Sequence, residues 1–362
     1  MTTVNDLKLE EHVYRYLFAS PAEFRGECFG HGFYLTVAFP SWGKRNASNR
    51  NGDGSRFVFS IRTEPPAKDG IVVETYVWAG EEVSALLGAF YGKLIFNLGQ
   101  IQAGRIQTVP TTPSKRLDDT ARAPFNSEPR KPNGPLINLF EAQLLIERYI
   151  SGQGEERLAR ILQAAKFYRI ALESIQTRPE IALAMFCATL ETLLPLRVYS
   201  EDELYDKSLA AILKRIAEGY PGGERIVRGL KSRLYQIKRK VVALVNQYLP
   251  DSYFDQRETS LSWAVVKSRA ELLSRIKNTY DLRSRILHTG DRNGLWYLEN
   301  DRQGAEIGAG SPVLENKKLE KVLAGAMTLT GVERVTSTVL RAVITEWLGS
   351  PPERPLAVSF AD

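Results

Sequence analysis

The stretch that decides the fold of the C-terminal half is Tyr280-Asp281-Leu282-Arg283-Ser284-Arg285-Ile286-Leu287-His288-Thr289-Gly290. Before it, apolar residues recur at helical spacing, at Trp263, Val266, Ala270, Leu273 and Ile276. Thr289-Gly290 is a helix stop, because glycine tolerates the left-handed backbone of a C-terminal cap. We therefore predict that this stretch forms the last turns of a helix over residues 261–288.

Arg283 and His288 offer two chemical roles within this stretch. An ordinary histidine has a pKa of about 6.5 and can donate or accept a proton at neutral pH, whereas an arginine carries a permanent charge and a planar fork of donors that matches a phosphate. At about 100° per residue, positions 283 and 288 lie about 140° apart on a regular helix. The two side chains therefore converge only if the arginine curls round, if the helix loosens at its end, or if a second subunit supplies one of them.

The pattern Tyr-Asp-x-Arg-Ser-x-x-x-His-x-Gly over residues 280–290 resembles the signature of the HEPN superfamily, and in particular of its Apea-like branch. The family pattern is an arginine, four to six residues and a histidine, and four residues separate Arg283 from His288. Apea-like proteins also carry an Ala-x-x-x-Leu-Glu-x-Leu-Leu segment, to which Met185–Leu194 is similar, and Leu213–Ala217 resembles the short arginine-containing segment that usually follows. The resemblance covers roughly residues 140–348.

The resemblance implies a helical bundle that acts as a metal-independent endoribonuclease, with no metal and no cofactor, in a homodimer whose two motifs meet in a shared cleft. RNA carries its own nucleophile, the 2′-hydroxyl, so such an enzyme needs a group that moves a proton and a cation that stabilises the phosphorane-like transition state. His288 fits the proton transfer and Arg283 fits the charge. Supporting roles are assigned to Tyr280, Asp281, Ser284 and Glu191.

Length and composition exclude several classes of protein. With 362 residues the chain is long enough for two domains, and its 43% apolar and 25% charged residues are typical of a soluble globular protein. The first thirty residues lack a signal-peptide pattern and no apolar run is long enough to span a membrane, so we expect a cytoplasmic protein with no membrane partner. Cys28 and Cys187 are far apart in the sequence, which argues for buried thiols and against a disulfide framework or a zinc site.

Residues 1–108 are predicted to form an α+β domain, in which a sheet carries at least one helix. Three short segments rich in β-branched and aromatic residues are the predicted strands, at Phe33–Phe39, Arg56–Arg62 and Ile71–Trp78. A helix with acidic residues in its first turn follows from Ala79, and its apolar stripe is predicted to lie on the sheet. This domain matches no family pattern and is a candidate sensor.

The C-terminal half is predicted to be an all-α, HEPN-like helical bundle over residues 136–350, followed by a tail over 351–362. Six prolines between residues 109 and 135 mark the linker that separates it from the first domain. Caps and helix breakers divide the bundle into predicted helices at 137–150, 155–177, 179–196, 201–219, 223–249, 261–288 and 315–348.

Two of these helices carry unusual charges. Ile181–Leu194 is almost entirely apolar and must therefore be central, so its single acid, Glu191, needs a partner. The helix over residues 223–249 has either a solvated basic side or a phosphate track for RNA, whose contribution would fall steeply with salt. The track comprises Arg225, Arg228, Lys231, Arg233, Lys238, Arg239 and Lys240. The net charge of +6 supports an RNA partner without requiring one.

The sequence leaves two other hypotheses open beside the nuclease. One is a non-catalytic HEPN-like protein that binds RNA, a nucleotide or a protein partner and acts as a regulator. The other treats the bundle as the effector of a bacterial antiviral or toxin system, because proteins similar in the C-terminal half often belong to such systems. That hypothesis implies an antitoxin or sensor partner, and it rests on analogy of fold.

Overall fold

The computed structural model of the chain describes residues 12–38, 55–63, 78–104, 137–175, 177–255, 266–289 and 317–349. Within these ranges, an N-terminal region with an antiparallel sheet is followed by a mostly helical C-terminal part, as the sequence predicts. The predicted linker over 109–135, the tail over 351–362 and all but Trp78 of the predicted strand Ile71–Trp78 lie outside the described residues.

Five of the described strands form one antiparallel sheet with the order β3-β4-β5-β1-β6. Two further short strands, β2 and β7, pair in parallel. Two predicted strands are confirmed as β4 and β5, whereas the central strand β1 and the edge strand β6 were not predicted. The strands are β1 (His12–Ser20), β2 (Phe24–Arg25), β3 (Glu27–Gly30), β4 (Phe33–Val37), β5 (Ser55–Thr63), β6 (Phe96–Gly104) and β7 (Ile137–Asn138).

One face of the sheet is aromatic and is covered by the first helix. Tyr16, Phe18 and Phe59 are buried there, and Phe18 and Phe59 stack with ring centroids 6.1 Å apart. The predicted helix after Trp78 is confirmed as α1 (Ala79–Tyr91), whose Gly80 lies so close to Tyr16 that a Cβ would overlap the ring. The absence of a side chain at position 80 therefore lets the helix approach the sheet.

Helices dominate the rest of the described chain, where turns, short 3-10 helices and the strand β7 lie between them. The helices after α1 are α2 (Gln143–Ser151), α3 (Glu156–Ser174), α4 (Pro179–Leu193), α5 (Glu201–Leu204), α6 (Lys207–Gly219), α7 (Gly223–Arg233), α8 (Ile237–Tyr248), α9 (Arg269–Thr289), α10 (Lys317–Gly325) and α11 (Leu329–Gly349).

Three predicted helices are interrupted. The helix predicted over 201–219 breaks where Asp206 caps α6 by accepting a hydrogen bond of 2.8 Å from the amide of Leu209. The one predicted over 223–249 ends at Arg233 and restarts at Ile237, because Gln236 adopts a left-handed backbone with φ of 46°. The one predicted over 315–348 is divided into α10 and α11.

Contacts divide the chain into two compact units, residues 1–178 with 343–362 and residues 179–342. The predicted boundary lies instead at the linker over 109–135. In the first unit α3 packs against α1, where Nζ of Lys166 lies 3.1 Å from a carboxylate oxygen of Glu82 and the hydroxyl of Tyr149 donates to the same side chain. The helices α2 and α3 therefore belong to the unit that holds the sheet.

By length and apolar composition alone, one segment of the described chain could cross a membrane, Pro179–Leu196. This segment contains α4, which packs against α8 and α9 within the second unit and buries Leu183, Phe186 and Leu190. The core helix of a water-soluble domain has the same composition.

Candidate functional site

The helices α4 and α9 bring a glutamate and an arginine together. Nη2 of Arg283 on α9 lies 3.3 Å from Oε1 and 3.4 Å from Oε2 of Glu191 on α4. The arginine side chain is 23% exposed and the glutamate side chain 24%, so the pair lies at the edge of the core. The acid that the sequence marks as needing a partner is therefore paired with the arginine of the Arg283–His288 motif.

The inner atoms of this pair are not fully satisfied. Nε of Arg283 and Oε1 of Glu191 are buried and have no hydrogen-bond partner among the described residues. A buried donor and acceptor of this kind are costly, because each has given up its bond to water. The charge of Glu191 is still met by Arg283, because Oε1 lies 3.3 Å from Nη2.

Tyr280 lies one turn before Arg283 on α9 and is 6% exposed. Its hydroxyl donates a hydrogen bond of 3.2 Å to the carbonyl oxygen of Cys187 on α4. Burial raises the pKa of Tyr280 well above its ordinary value, and Cys187 and Glu191 raise it further, whereas Arg283 lowers it. Tyr280 is therefore a neutral donor that ties α9 to α4, and it is not poised to act as an acid or a base at neutral pH.

Cys187 is buried on the same side of α4. Burial raises its pKa to about 12, an effect that the charge of Arg283 reduces and the charge of Glu191 increases. A thiol with this pKa is protonated at neutral pH and is a poor nucleophile. The prediction that Cys28 and Cys187 are buried thiols is confirmed.

The end of α9 determines where His288 sits. The helix remains regular through Thr289, one residue beyond the predicted end. Positions 283 and 288 are therefore about 140° apart, and a loosened helix end does not bring them together. The side chain of His288 and residue Gly290 lie outside the described residues, whereas Ser284 is exposed on the helix surface.

Asp281 makes a contact that the sequence did not predict. Its Oδ1 lies 2.7 Å from Nζ of Lys238 on α8, in an ion pair whose side chains are 44% and 46% exposed. The helical spacing favours pairing of Asp281 with Arg285, four positions later. The contact to α8 links the Arg283–His288 motif to the predicted phosphate track.

The seven residues of the predicted phosphate track divide into two groups. Lys231 pairs with Glu201, Lys238 with Asp281 and Arg239 with Asp206, where the last two side chains approach to 2.6 Å. Lys240 lies 5.9 Å from the ring centre of Tyr199. Three other members, Arg225, Arg228 and Arg233, are exposed and have no ion pair among the described residues. Among the described residues, these three arginines of α7 are therefore the exposed cations of the track that no acid holds.

A second polar cluster at the end of α4 was missed in the sequence. Arg197 pairs with Glu203 and stacks over Tyr199, with its Cζ 4.6 Å from the ring centre. Burial raises the pKa of Tyr199 to about 12, and the charge of Arg197 opposes this shift. The residues are close in the sequence. The feature that could have predicted the cluster is the capping box of α5, in which Ser200 and Glu203 bond each other.

Within the described ranges, no group of three or more histidine, cysteine, aspartate or glutamate side chains is arranged to hold a metal ion. The charged partner of Arg283 is the carboxylate of Glu191, and the nearby hydroxyl of Tyr280 donates to a backbone carbonyl of α4. These groups suit the orientation of a guanidinium.

Comparisons with known proteins add no family to this description. No protein-family model matches the chain, and no curated protein and no solved structure matches it. Function is therefore argued from the geometry and chemistry of the site.

Proposed function

We propose that this chain is a HEPN-like, metal-independent endoribonuclease that cleaves RNA through attack by its own 2′-hydroxyl. The observation that carries the proposal is the contact between Glu191 and Arg283, which are 92 positions apart in the sequence. Each belongs to one of the two segments that resemble HEPN proteins, Met185–Leu194 and Tyr280–Gly290. Packing of these segments against each other supports a common site.

In the proposed mechanism Arg283 stabilises the charge that develops on the phosphate. A guanidinium carries five N–H donors, so the contact of Nη2 with Glu191 leaves other donors for a phosphate oxygen. Glu191 and Tyr280 are positioning residues, because they fix the arginine and the helix that carries it. An arginine held in place before the substrate binds loses less entropy when it meets the phosphate.

His288 is the proposed proton-transfer group, and a homodimer completes the site. The regular helix through Thr289 separates positions 283 and 288 by about 140°, which favours an arrangement in which Arg283 of one subunit acts with His288 of the partner subunit. A two-fold axis near the helix ends would form two such composite sites in each dimer, and in each site one histidine would take the proton of the attacking 2′-hydroxyl and protonate the leaving 5′-oxygen.

The exposed arginines of α7 support an RNA partner. Arg225, Arg228 and Arg233 are available to phosphates, whereas Lys231, Lys238 and Arg239 are already held by acids and contribute less. We therefore place the phosphate track on α7 and treat the basic residues of α8 as structural.

The test is cleavage of labelled single-stranded RNA by the purified full-length protein in the presence of a chelator. We expect cleavage by the wild type, products that end in a 2′,3′-cyclic phosphate, and a loss of at least about 100-fold in Arg283→Ala and in His288→Ala. Arg160→Ala is the matched control, because it removes an exposed arginine that pairs with Glu156 at 2.8 Å in the other unit. Products with free 3′-hydroxyl ends would exclude the 2′-hydroxyl route. Cleavage of an oligonucleotide of the same sequence in which every sugar is 2′-deoxy would also exclude it.

A non-catalytic, HEPN-like regulatory protein that binds RNA, a nucleotide or a partner is the second candidate. It is favoured by one observation: the cations Arg283 and Lys238 beside the motif are both engaged by carboxylates, as they would be in a structural bundle. Tight RNA binding with no cleavage of any RNA, and unchanged binding in His288→Ala, would support this candidate over the nuclease.

We also propose that the protein acts in the cytoplasm as an effector that the sheet-containing unit controls, with an antitoxin or sensor as partner. The division of the chain into two compact units supports separate sensing and effector parts. Expression of the wild-type chain in a bacterial host should arrest growth, and Arg283→Ala should abolish the arrest. Equal growth arrest by both proteins would exclude the effector role of this site.

A further inference from the structure

The helices α6 and α7 form a hairpin with a small core of its own. Leu213 of α6 and Val227 of α7 are buried in one cluster together with Tyr205. The backbone of Gly223 lies against that of Ile216, so close that a Cβ at position 223 would overlap the carbonyl oxygen of Ile216. Only three residues, 220–222, connect the two helices, which therefore run antiparallel.

Four apolar residues lie on one side of this hairpin, and three of them are exposed. On α6, Ile212 precedes the buried Leu213 by one position and Ile216 follows it by three. On α7, Ile226 precedes the buried Val227 by one position and Leu230 follows it by three. Leu213 and Val227 face each other across two antiparallel helices. Residues at equal offsets from them therefore lie on the same side of the hairpin. The resulting surface, called the hairpin face, consists of Ile212, Ile216, Ile226 and Leu230. Three of its members remain 49%, 48% and 38% exposed, namely Ile212, Ile226 and Leu230.

Basic residues border the hairpin face. By the same helical geometry, the exposed residues Arg215 and Arg233 flank it, whereas Glu218 and Glu224 fall on the opposite side. Residues 207–233 contain seven basic and two acidic residues, a net charge of +5. The hairpin face is therefore an aliphatic stripe with a positive border.

We propose that the hairpin face is the docking site for an acidic amphipathic helix of a protein partner. Such a helix would place aliphatic side chains at positions i, i+3, i+4 and i+7 between α6 and α7, and would place carboxylates opposite Arg215 and Arg233. It would complete a three-helix arrangement over a hairpin that now buries its apolar residues on one side only. This proposal does not depend on the nuclease activity.

Charge and chemistry favour this occupant over three others. A second copy of the chain would bring two positive borders together with no acid between them, which opposes association. RNA is bound through phosphates and by stacking on aromatic rings, and the centre of the hairpin face offers only aliphatic side chains. A membrane-surface helix carries bulky apolar residues such as Trp, Phe and Leu above a Lys- and Arg-rich face, whereas the hairpin face has no aromatic residue and only two basic neighbours.

The test measures binding of a fluorescent synthetic helix to the full-length protein by anisotropy. The probe has about 18 residues with leucines at the helical spacing given above and glutamates on both flanks. A second probe carries lysines in place of the glutamates. The variant Ile226→Ser/Leu230→Ser changes the hairpin face. The control Val198→Ser/Ile237→Ser removes two apolar residues that lie elsewhere and are, as a pair, at least as exposed, at 94% and 44%.

We expect the acidic probe to bind the wild type and the Val198→Ser/Ile237→Ser control with equal affinity, and Ile226→Ser/Leu230→Ser at least about tenfold more weakly. Arg233→Glu and added salt should also weaken binding, and the lysine probe should not bind. Equal affinity of both double variants for the acidic probe, or equal binding of the lysine probe, would overturn the proposal. Three other results would also overturn it: the protein binds phosphatidylserine vesicles, binds single-stranded RNA or forms a dimer, and Ile226→Ser/Leu230→Ser is the only variant that abolishes this interaction.

Discussion

Glu191 on α4 and Arg283 on α9 form an ion pair of 3.3 Å between two helices of the second unit. The acid lies in a nearly continuous apolar helix, and the arginine belongs to the segment whose Arg283–His288 spacing the sequence marks for phosphate chemistry. The pair therefore joins two separate features of the sequence in one site.

Glu191→Gln keeps the size of the side chain and removes its charge. We expect kcat/KM for RNA cleavage to fall about tenfold, because Arg283 loses the anion that orients it. The free energy of unfolding should change by no more than about 1 kcal/mol, because the pair is partly exposed to water. Cleavage rates and urea denaturation measure the two effects. The control is Glu156→Gln, which weakens the exposed pair with Arg160 and should leave cleavage unchanged.

Tyr280→Phe removes the hydroxyl that bonds the carbonyl of Cys187 and leaves the buried ring in place. We expect a loss of about 1 kcal/mol in the free energy of unfolding near neutral pH. The pKa of Tyr280 is raised by folding, so wild-type stability should decline as the pH rises above about 10, where an unfolded tyrosine ionises.

Urea denaturation of both proteins between neutral pH and pH values above about 10 tests this assignment. The stability of the Tyr280→Phe variant should fall less at high pH, so the difference between the proteins should shrink. A constant difference across the whole range would mean that Tyr280 is not buried in its neutral form.

Gly80→Ala tests how closely α1 approaches the sheet. The added methyl group would overlap the ring of Tyr16, so we expect a loss of about 1–3 kcal/mol in the free energy of unfolding. Gly229→Ala is the matched control, because it lies within α7 and a Cβ added there would meet no neighbouring group within 4 Å. There we expect a gain of up to about 1 kcal/mol from helix propensity. Equal effects of the two substitutions would contradict the packing of α1.

Arg228→Ala tests the placement of the phosphate track on α7. Loss of one phosphate contact should reduce the slope of log K against log salt concentration by about 1, with a similar loss of affinity for every RNA sequence. Lys231→Ala should have a smaller effect, because Lys231 is already paired with Glu201. Fluorescence titrations with single-stranded RNA at several salt concentrations measure both, and equal slopes for all three proteins would remove α7 from the RNA site.

Local signals predicted much of the helical half. The stop at Thr289-Gly290 gave the end of α9 to within one residue, and the apolar run around Glu191 identified a core helix whose acid needs a partner. The interruption at Gln236 could not be predicted, because glutamine seldom adopts a left-handed backbone and no glycine or proline marks the position.

The sheet and the boundary between the two units were harder to predict from the sequence. β6 was missed because it contains glycines and glutamines, which have weak β propensity that pairing with β1 overrides. The linker suggested a boundary before α2, yet Lys166 and Tyr149 bond Glu82 of α1. Such contacts between distant segments leave no periodic pattern in the sequence. The partner of Arg283 was likewise fixed by packing of α4 on α9.

The measurement that tests the central claim most directly is complementation between Arg283→Ala and His288→Ala. Each variant alone should be inactive, and mixing equal amounts under conditions of subunit exchange should restore about a quarter of wild-type cleavage, because half of the dimers are mixed and each mixed dimer has one complete site. If the two variants exchange subunits and the mixture remains inactive, the account of a site shared between Arg283 of one subunit and His288 of the partner subunit is contradicted.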